Sequence, residues 1–463
     1  AAATAVASAA VAAGAAAGKD VDAALHLGSF LPLVDRTVCV QPENLASAMS
    51  VSTAAVLKEG LPQWPHGSTA RVVPPVDLRL AFLVQLSYED KLPLVRRVYN
   101  KLYSPLDFFL YMVDAAKLNP DRVKETLGLS MSELPNVHVE ASPHADYFYW
   151  PRVQVLLKGL STLMEYPWDF VVHLSESDYP VHSVSWIRTS LAQQRDSNFI
   201  HVMPRCVWRK AQQQDSASWW SFFDDTPRDG AAEYDRFVEE DADEVLVVNN
   251  EEWFWWKSEQ AVASCGSRFE PKEITNVKFP TEQLDSAGFA LGHSSEWVIV
   301  TRELAEYSLS PGLEHFKRLV GMHGAADEIF WATLVLNIPN FTQRISRQGW
   351  YIQWGSGNGH SPMTVDMTHW PRIDADRDGF IFIRKVDELG SADLLHTLDV
   401  LIQDEQVGEG SMRIVPDGDG RPINRRRALC SARGPSPAPM PLLQGAPFPS
   451  PAPPAMSALG RPR

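Results

Sequence analysis

Between Arg79 and about Leu389 the 463-residue chain alternates apolar runs with amphipathic stretches, which predicts an α/β fold with a mostly parallel central sheet flanked by helices. Three observations carry that class. Runs such as RLAFLVQL, from Arg79 to Leu86, are apolar almost throughout, as strands covered on both faces are. Stretches with helical spacing separate these runs. A content of 45% hydrophobic and 21% charged residues supplies apolar surface for a large core.

Residues 1–70 read as an Ala-rich lead-in and N-terminal extension. Of the first 18 residues 12 are alanine, with no basic n-region and no long Leu, Ile, Val or Phe run, so neither a signal peptide nor a spanning helix is expected there. A single large domain is expected over 71–400. Its first strand is Arg79–Leu86, and Lys91–Leu102 follows as a helix with Leu92, Val95, Val98 and Leu102 on one face. Phe108–Val113 is a second strand, Val137–Val139 a short third, Val153–Met164 a helix and Trp168–Leu174 the next strand. Phe199–Val202 and Trp297–Val300 add two more. Residues 401–463 read as an Arg/Pro-rich disordered tail: Arg425, Arg426 and Arg427 lead into Gly434–Arg463, which holds ten of the 34 prolines and so favours polyproline II over helix.

The formal net charge of −15 argues against wholesale binding to nucleic acid or to an anionic membrane surface. Cys39, Cys206, Cys265 and Cys430 form no CxxC pair, which excludes a disulfide scaffold and a zinc ribbon and leaves one or two bridges open.

In a parallel sheet, ligands sit beyond the carboxyl ends of the strands, so strand-closing residues are the first functional candidates. Asp114 closes FFLYMVD, and Asp178 follows WDFVVHLSES; each is able to accept from ribose hydroxyls or a uracil-like N–H, or to cap the next helix. Two carboxylate clusters imitate metal motifs. Asp241 and Asp243 form a literal DxD, but in the acid-rich stretch VEEDADE, as a solvated face would. Asp374, Asp376, Asp378 and Gly379 copy the start of an EF-hand loop, whose twelfth position here is Lys385 where calcium needs a bidentate glutamate. No metal site is therefore assigned. The segment GMHGAADEIFWATLVLN places Asp327 and Glu328 in the first turn of an apolar helix, where acids are also ordinary partners of the helix dipole.

Five blocks in order resemble glycosyltransferase family 14, the core-2 and I-branching N-acetylglucosaminyltransferases, peptide O-xylosyltransferases and plant glucuronosyltransferases. They are AFLVQLS with VRRVYNKLYSPLDFFLYMVD; NVHVEASPHADYFYWPRVQVLLKGLSTLM; WDFVVHLSESDYPVHS with NFIHV; SSEWVIVTRELAEY; and ADEIFWATLVLN followed by YIQW and FIRK. The segment 207–287 does not follow the family pattern and is treated as an insertion; its cluster Trp253, Phe254, Trp255 and Trp256 reads equally as core or as an acceptor lid.

The resemblance implies a GT-A-type fold and inverting transfer from a UDP-sugar, with basic side chains rather than a DxD-bound metal at the diphosphate and no further cofactor. It implies that Glu328 is the catalytic base, with Asp327 as a support or cap on the acceptor side. Lys385 in FIRK would contact the diphosphate; Arg384 is its neighbour, and strand alternation would turn the two to opposite faces. His360 is the nearby candidate for a second phosphate contact. Asp114 and Tyr147 match positions that contact the uridine, and Asp178 would orient donor or acceptor. Trp297 and Trp354 would offer ring faces to the acceptor sugar, or lie in the core.

The function so implied is transfer of xylose, or else of N-acetylglucosamine or glucuronic acid, to a hydroxyl of a glycan or protein, with a β linkage. Xylose comes first because LVLN and YIQW look nearer to xylosyltransferase and plant-type members. A catalytically inactive glycan- or nucleotide-binding scaffold is the alternative. Partners would be the UDP-sugar and the acceptor, with no nucleic acid and the oligomeric state left open. The Golgi or endoplasmic reticulum lumen is the expected location, in full-length form as a type II membrane protein, although no anchor is seen in this chain. Asn340-Phe341-Thr342 is a glycosylation sequon compatible with it.

Overall fold

Two aspartates fix the start of the sheet. Asp169, just before one strand, accepts the Arg79 N–H at 2.9 Å, and Asp107, just before another, accepts the Leu80 N–H at 2.9 Å. Asp107 is buried, and Arg188, which also donates to the Leu78 carbonyl, neutralises it. A strand beginning at Leu80 is thereby registered between two neighbours.

The computed structural model describes residues 40, 42–64, 73–129, 134–145, 149–204, 260–264, 271–346, 349–353 and 362–407. The expectations placed on Asp241, Asp243, Tyr147, Trp354, His360, Trp253 to Trp256, the four cysteines, the Ala-rich lead-in and the Arg/Pro-rich tail lie outside those residues.

The strands are β1 (Leu80–Leu86), β2 (Phe108–Asp114), β3 (Val137–Ser142), β4 (Phe170–Ser175), β5 (Asp178–Pro180), β6 (Asn198–Phe199) and β7 (Met203–Pro204). They continue as β8 (Gln260–Ser264), β9 (Pro271–Lys278), β10 (Gly292–His293), β11 (Ile299–Thr301), β12 (Ile345–Ser346), β13 (Trp350–Ile352) and β14 (Phe382–Arg384). The central sheet has the order β12-β6-β11-β4-β1-β2-β3. β1 runs parallel to both β2 and β4, β2 to β3, and β12 to β6; β11 alone is antiparallel to its neighbours. The order reverses at β1, with β2 and β3 on one side and β4 on the other, so a crevice opens at the carboxyl ends of β1 and β4. A second sheet, β13-β14-β5, stands beside it.

Where the observed elements differ from those expected, a side chain explains the change. The fourth long strand starts at Phe170, not Trp168, because the Trp168 indole N–H bonds the Leu163 carbonyl at 2.7 Å and so finishes the preceding helix, Trp150–Leu163. That helix lies so close to β1 that a side-chain carbon on Gly159 would stand 2.5 Å from Leu83 Cδ1. The run Phe199–Val202 leaves the sheet after Phe199, and the chain then pairs through β7 with β10.

The folded unit is wider at both ends than 71–400. Helix Leu45–Glu59 buries Leu45, Met49 and Val56 in the same core as Leu334, and Trp64 packs on Tyr307 and Phe341. Helix Ala392–Val407 buries Leu394, Leu395, Leu398 and Ile402, and its Glu405 holds Arg377 at 2.6 Å and His182 at 2.8 Å. The end of the insertion joins the core as well: β8 and β9 pair antiparallel, the Val262 N–H bonds the Met322 carbonyl, and Phe279 packs on the His323 ring. Asn340 of the sequon sits in the short helix Pro339–Thr342, its amide donating to the Trp64 carbonyl at 3.2 Å. Thr342 there is buried, its hydroxyl engaged with the Val335 carbonyl, so the sequon lies in a packed turn rather than an exposed loop.

Candidate active site

Strand β4 ends in Ser175-Glu176-Ser177-Asp178, and the chain folds back so that β14 pairs with β5, setting Arg384 opposite Asp178. Asp178 is fully enclosed. One carboxylate oxygen accepts from the Ser175 N–H at 2.6 Å, the Ser175 hydroxyl at 2.7 Å and Arg384 Nη1 at 3.2 Å; the other accepts from the Trp350 indole at 3.0 Å. Its place is therefore beneath the crevice, holding Arg384. Arg384 is only 4% exposed, also donates to the Ser175 hydroxyl, and lies 4.2 Å from the centroid of the Trp297 ring.

The loop Glu296-Trp297 organises two guanidiniums at once. Trp297, 3% exposed, carries Arg384 and, at 5.6 Å, Arg152 on its ring, with His173 tilted against it at 4.9 Å. Glu296 grips Arg152 through both oxygens, one at 2.9 Å from Nη2 and the other from Nε. Burial pushes the Glu296 carboxyl up, but Arg152 outweighs it and holds the group below the ordinary range, so this pair is ionised. His173 Nδ1 donates to the Glu296 carbonyl at 2.8 Å, and burial drops its pKa to about 4, so the ring is neutral. Trp297, for which both an acceptor-facing ring and a place in the core were open, is buried as the platform of this charge cluster.

Lys385 follows β14 half-buried. Burial first, then the nearby Arg384, lower its pKa to about 8, against the pull of Glu296, Asp178 and Glu176. The acids that follow it in sequence have other partners: Asp387 pairs with Lys91, and Glu388 with Arg97 at 3.0 Å. Lys385 lies just past the end of β14, so strand alternation does not set its direction; Arg384 is buried, while Lys385 is half-buried in the field of Glu296, Asp178 and Glu176.

Glu328 stands in the first turn of helix Ala326–Leu336, whose other positions are buried. Its side chain keeps 21% exposure and meets His293 Nε2 at 3.0 Å. Burial pushes its carboxyl well above the ordinary range, and the negative charge of Glu296 adds to the rise. Asp327 is buried and lines a small cavity with Arg152, His173, Glu296 and Trp331, so it is placed behind Glu328 rather than on an open acceptor face. Asp114 lies two strands from β4, on the order of 10 Å by strand spacing. Its carboxylate accepts the Ala116 N–H at 3.1 Å and meets His144 Nδ1 at 2.6 Å, so it caps the turn after β2.

The structure brings together Glu328, Asp327, Asp178, Arg384 and Lys385, and leaves Asp114 at the far end of the same carboxyl edge. Sequence reasoning missed Arg152, Glu296, His173 and His293. Among the described residues, no group of three or more His, Cys, Asp or Glu is placed to hold a metal ion. No helix among them is long and apolar enough to cross a membrane.

A sheet whose order reverses at β1 is the layout of an α/β protein that takes a ligand, often a nucleotide, at the carboxyl edge of its strands. The model of the core-2/I-branching enzyme family matches residues 80–373, more than half of the chain, and the chain belongs to that family of glycosyltransferases. Its sheet is accordingly of the GT-A type. Xylosyltransferase 1 of Rattus norvegicus is 26% identical over 159 residues, which cover 33% of this chain and 18% of that protein's own length.

Proposed function

We propose that the protein is an inverting glycosyltransferase that moves a sugar from a UDP-sugar to a hydroxyl of a glycan or protein, with xylose the first donor. The observation that carries this is the joining of both ends of the chemistry by one loop: Glu296 lies beside Glu328, and Trp297 supports Arg384 next to Lys385. In-line displacement needs a base for the acceptor hydroxyl and positive charge for the leaving diphosphate on opposite sides of the sugar. Glu328 serves as the base and Lys385 as the diphosphate contact, with Arg384 setting the field behind it. Asp114, on the order of 10 Å away along the edge, stands where the uridine of a donor so placed would reach.

Two details bear on the donor and the metal. A uronic acid would need a cation of its own, and Arg152 is already engaged by Glu296 through both oxygens, which favours a neutral sugar. Asp178, nearest the usual place of a metal motif, has both oxygens committed to Ser175, Arg384 and Trp350, which suits a structural role better than cation ligation. The reaction would proceed in the Golgi or endoplasmic reticulum lumen, where UDP-sugars meet secreted acceptors, and the full-length form would be a type II membrane protein.

The test is a panel of UDP-sugars assayed for hydrolysis and transfer with and without chelator. UDP-xylose should turn over best, UDP-glucuronic acid poorly, and chelation should leave most activity. Complete loss in chelator, restored by manganese, would overturn the metal-independent reading. UDP binding without turnover of any donor would favour the inactive scaffold.

A further inference from the structure

Glu328 is a half-buried carboxylate whose surroundings push it well above its ordinary range, so it is a strong base once ionised but tends to keep its proton at neutral pH. It needs a donor that favours the anion. We infer that His293 is the positioning residue that keeps Glu328 ionised and aimed, by donating its Nε2–H to Oε2 and leaving Oε1 to take the acceptor proton; this rests on Glu328 being the base.

The geometry is built rather than incidental. Segment Ala290–Ser294 is fastened along the whole helix Ala326–Leu336. Asn337 brackets Ala290, accepting its N–H at 2.9 Å and donating to its carbonyl at 2.8 Å. Thr333 exchanges hydrogen bonds with the Gly292 N–H and carbonyl at 3.2 and 3.3 Å. The Ser294 N–H and hydroxyl both donate to the Glu328 carbonyl. His293, held between the last two contacts, is left with its ring against the Glu328 carboxylate at 3.0 Å. Strand β7 closes the other side through the Met203–His293 pairing.

The neutral ring is the form that suits this task. Burial lowers the His293 pKa to about 4, so the imidazole neither carries a charge to the acceptor nor takes the proton from Glu328 outright. It can still donate one N–H. The other titratable groups around the carboxylate are Asp327 on its own turn, Glu296 with Arg152, and His201 beside His293. His173 lies behind Glu296, with Arg384 and Lys385 beyond it. Glu296 opposes ionisation of Glu328, and His293 is the group whose ring nitrogen meets the Glu328 carboxylate oxygen at 3.0 Å.

A bond donated to the ionised form lowers a carboxyl pKa, so losing it raises the pKa and moves the acid limb of the pH–rate profile upward. The test compares kcat/KM from pH 5 to 9 with UDP-xylose for the unaltered protein, His293→Gln, whose amide reaches the Nε2 position, and His293→Asn, whose amide stops short. Glu328→Gln is run beside them. His293→Asn should move the acid limb up by about one to two pH units, lose about 10- to 100-fold at pH 7 and recover on the alkaline side. His293→Gln should stay near the unaltered profile. Equal loss at every pH for His293→Asn, or no change in it, would overturn the inference while Glu328→Gln remained inactive. Turnover retained by Glu328→Gln would instead remove the base assignment itself.

Discussion

Glu328→Gln should lower turnover by about 10²–10⁴-fold while UDP affinity stays near that of the unaltered protein. Glutamine keeps the shape of the side chain and a hydrogen bond to His293 but cannot accept the acceptor proton. The structure makes this test cleaner than it would be on an exposed helix. Every neighbour of Glu328 in helix Ala326–Leu336 is buried, and the carboxyl is already pushed upward by burial and by Glu296, so a neutral amide should be tolerated by the fold. Asp327→Asn should cost less turnover, because Asp327 lines the cavity behind the base. Steady-state kinetics with a UDP-sugar, together with UDP calorimetry, would check both. Turnover of Glu328→Gln close to the unaltered rate would sink the assignment.

The second large effect separates two adjacent cations. Arg384→Ala should destabilise the fold by about 3–5 kcal/mol, because it leaves the Asp178 carboxylate buried without its partner. Lys385→Ala should barely change stability and should weaken UDP binding by about 10- to 150-fold, the value of a charge-assisted contact to phosphate. Burial holds the Lys385 ammonium at about 8, so it is charged below that pH and loses its proton above it. UDP affinity of the unaltered protein should therefore fall as pH rises through about 8, and that fall should be absent in Lys385→Ala. Urea unfolding and UDP titration on both variants decide the matter. A fully stable Arg384→Ala that had lost UDP would exchange the two roles.

The parts of this architecture that were legible in sequence are those with local causes. β1, β2 and β4 are apolar along their length because helices cover both faces, and that pattern is visible residue by residue. The burial of Arg384 was not legible, since it depends on Asp178 and Trp297, which meet it only in the fold. Arg152 and Glu296 were not legible, since they are 144 residues apart and nothing in either local pattern names the other. Trp297 was recognised as an aromatic of interest, but only the fold reveals that guanidiniums cover its ring. His293 had a faint signal. Beyond the acidic first turn of an apolar buried helix, Thr333 and the Asn337 that caps its end are polar residues four apart, which marks a stripe along which another segment is hydrogen-bonded.

The anomeric configuration of the transfer product, read from its proton coupling by NMR, tests the central claim most directly. A base on one side of the sugar and cations at the diphosphate on the other require attack opposite the leaving group. From an α-linked UDP-sugar the product should therefore be entirely β-linked. An α-linked product would contradict the account, because retention needs a different catalytic arrangement from the one built on Glu328.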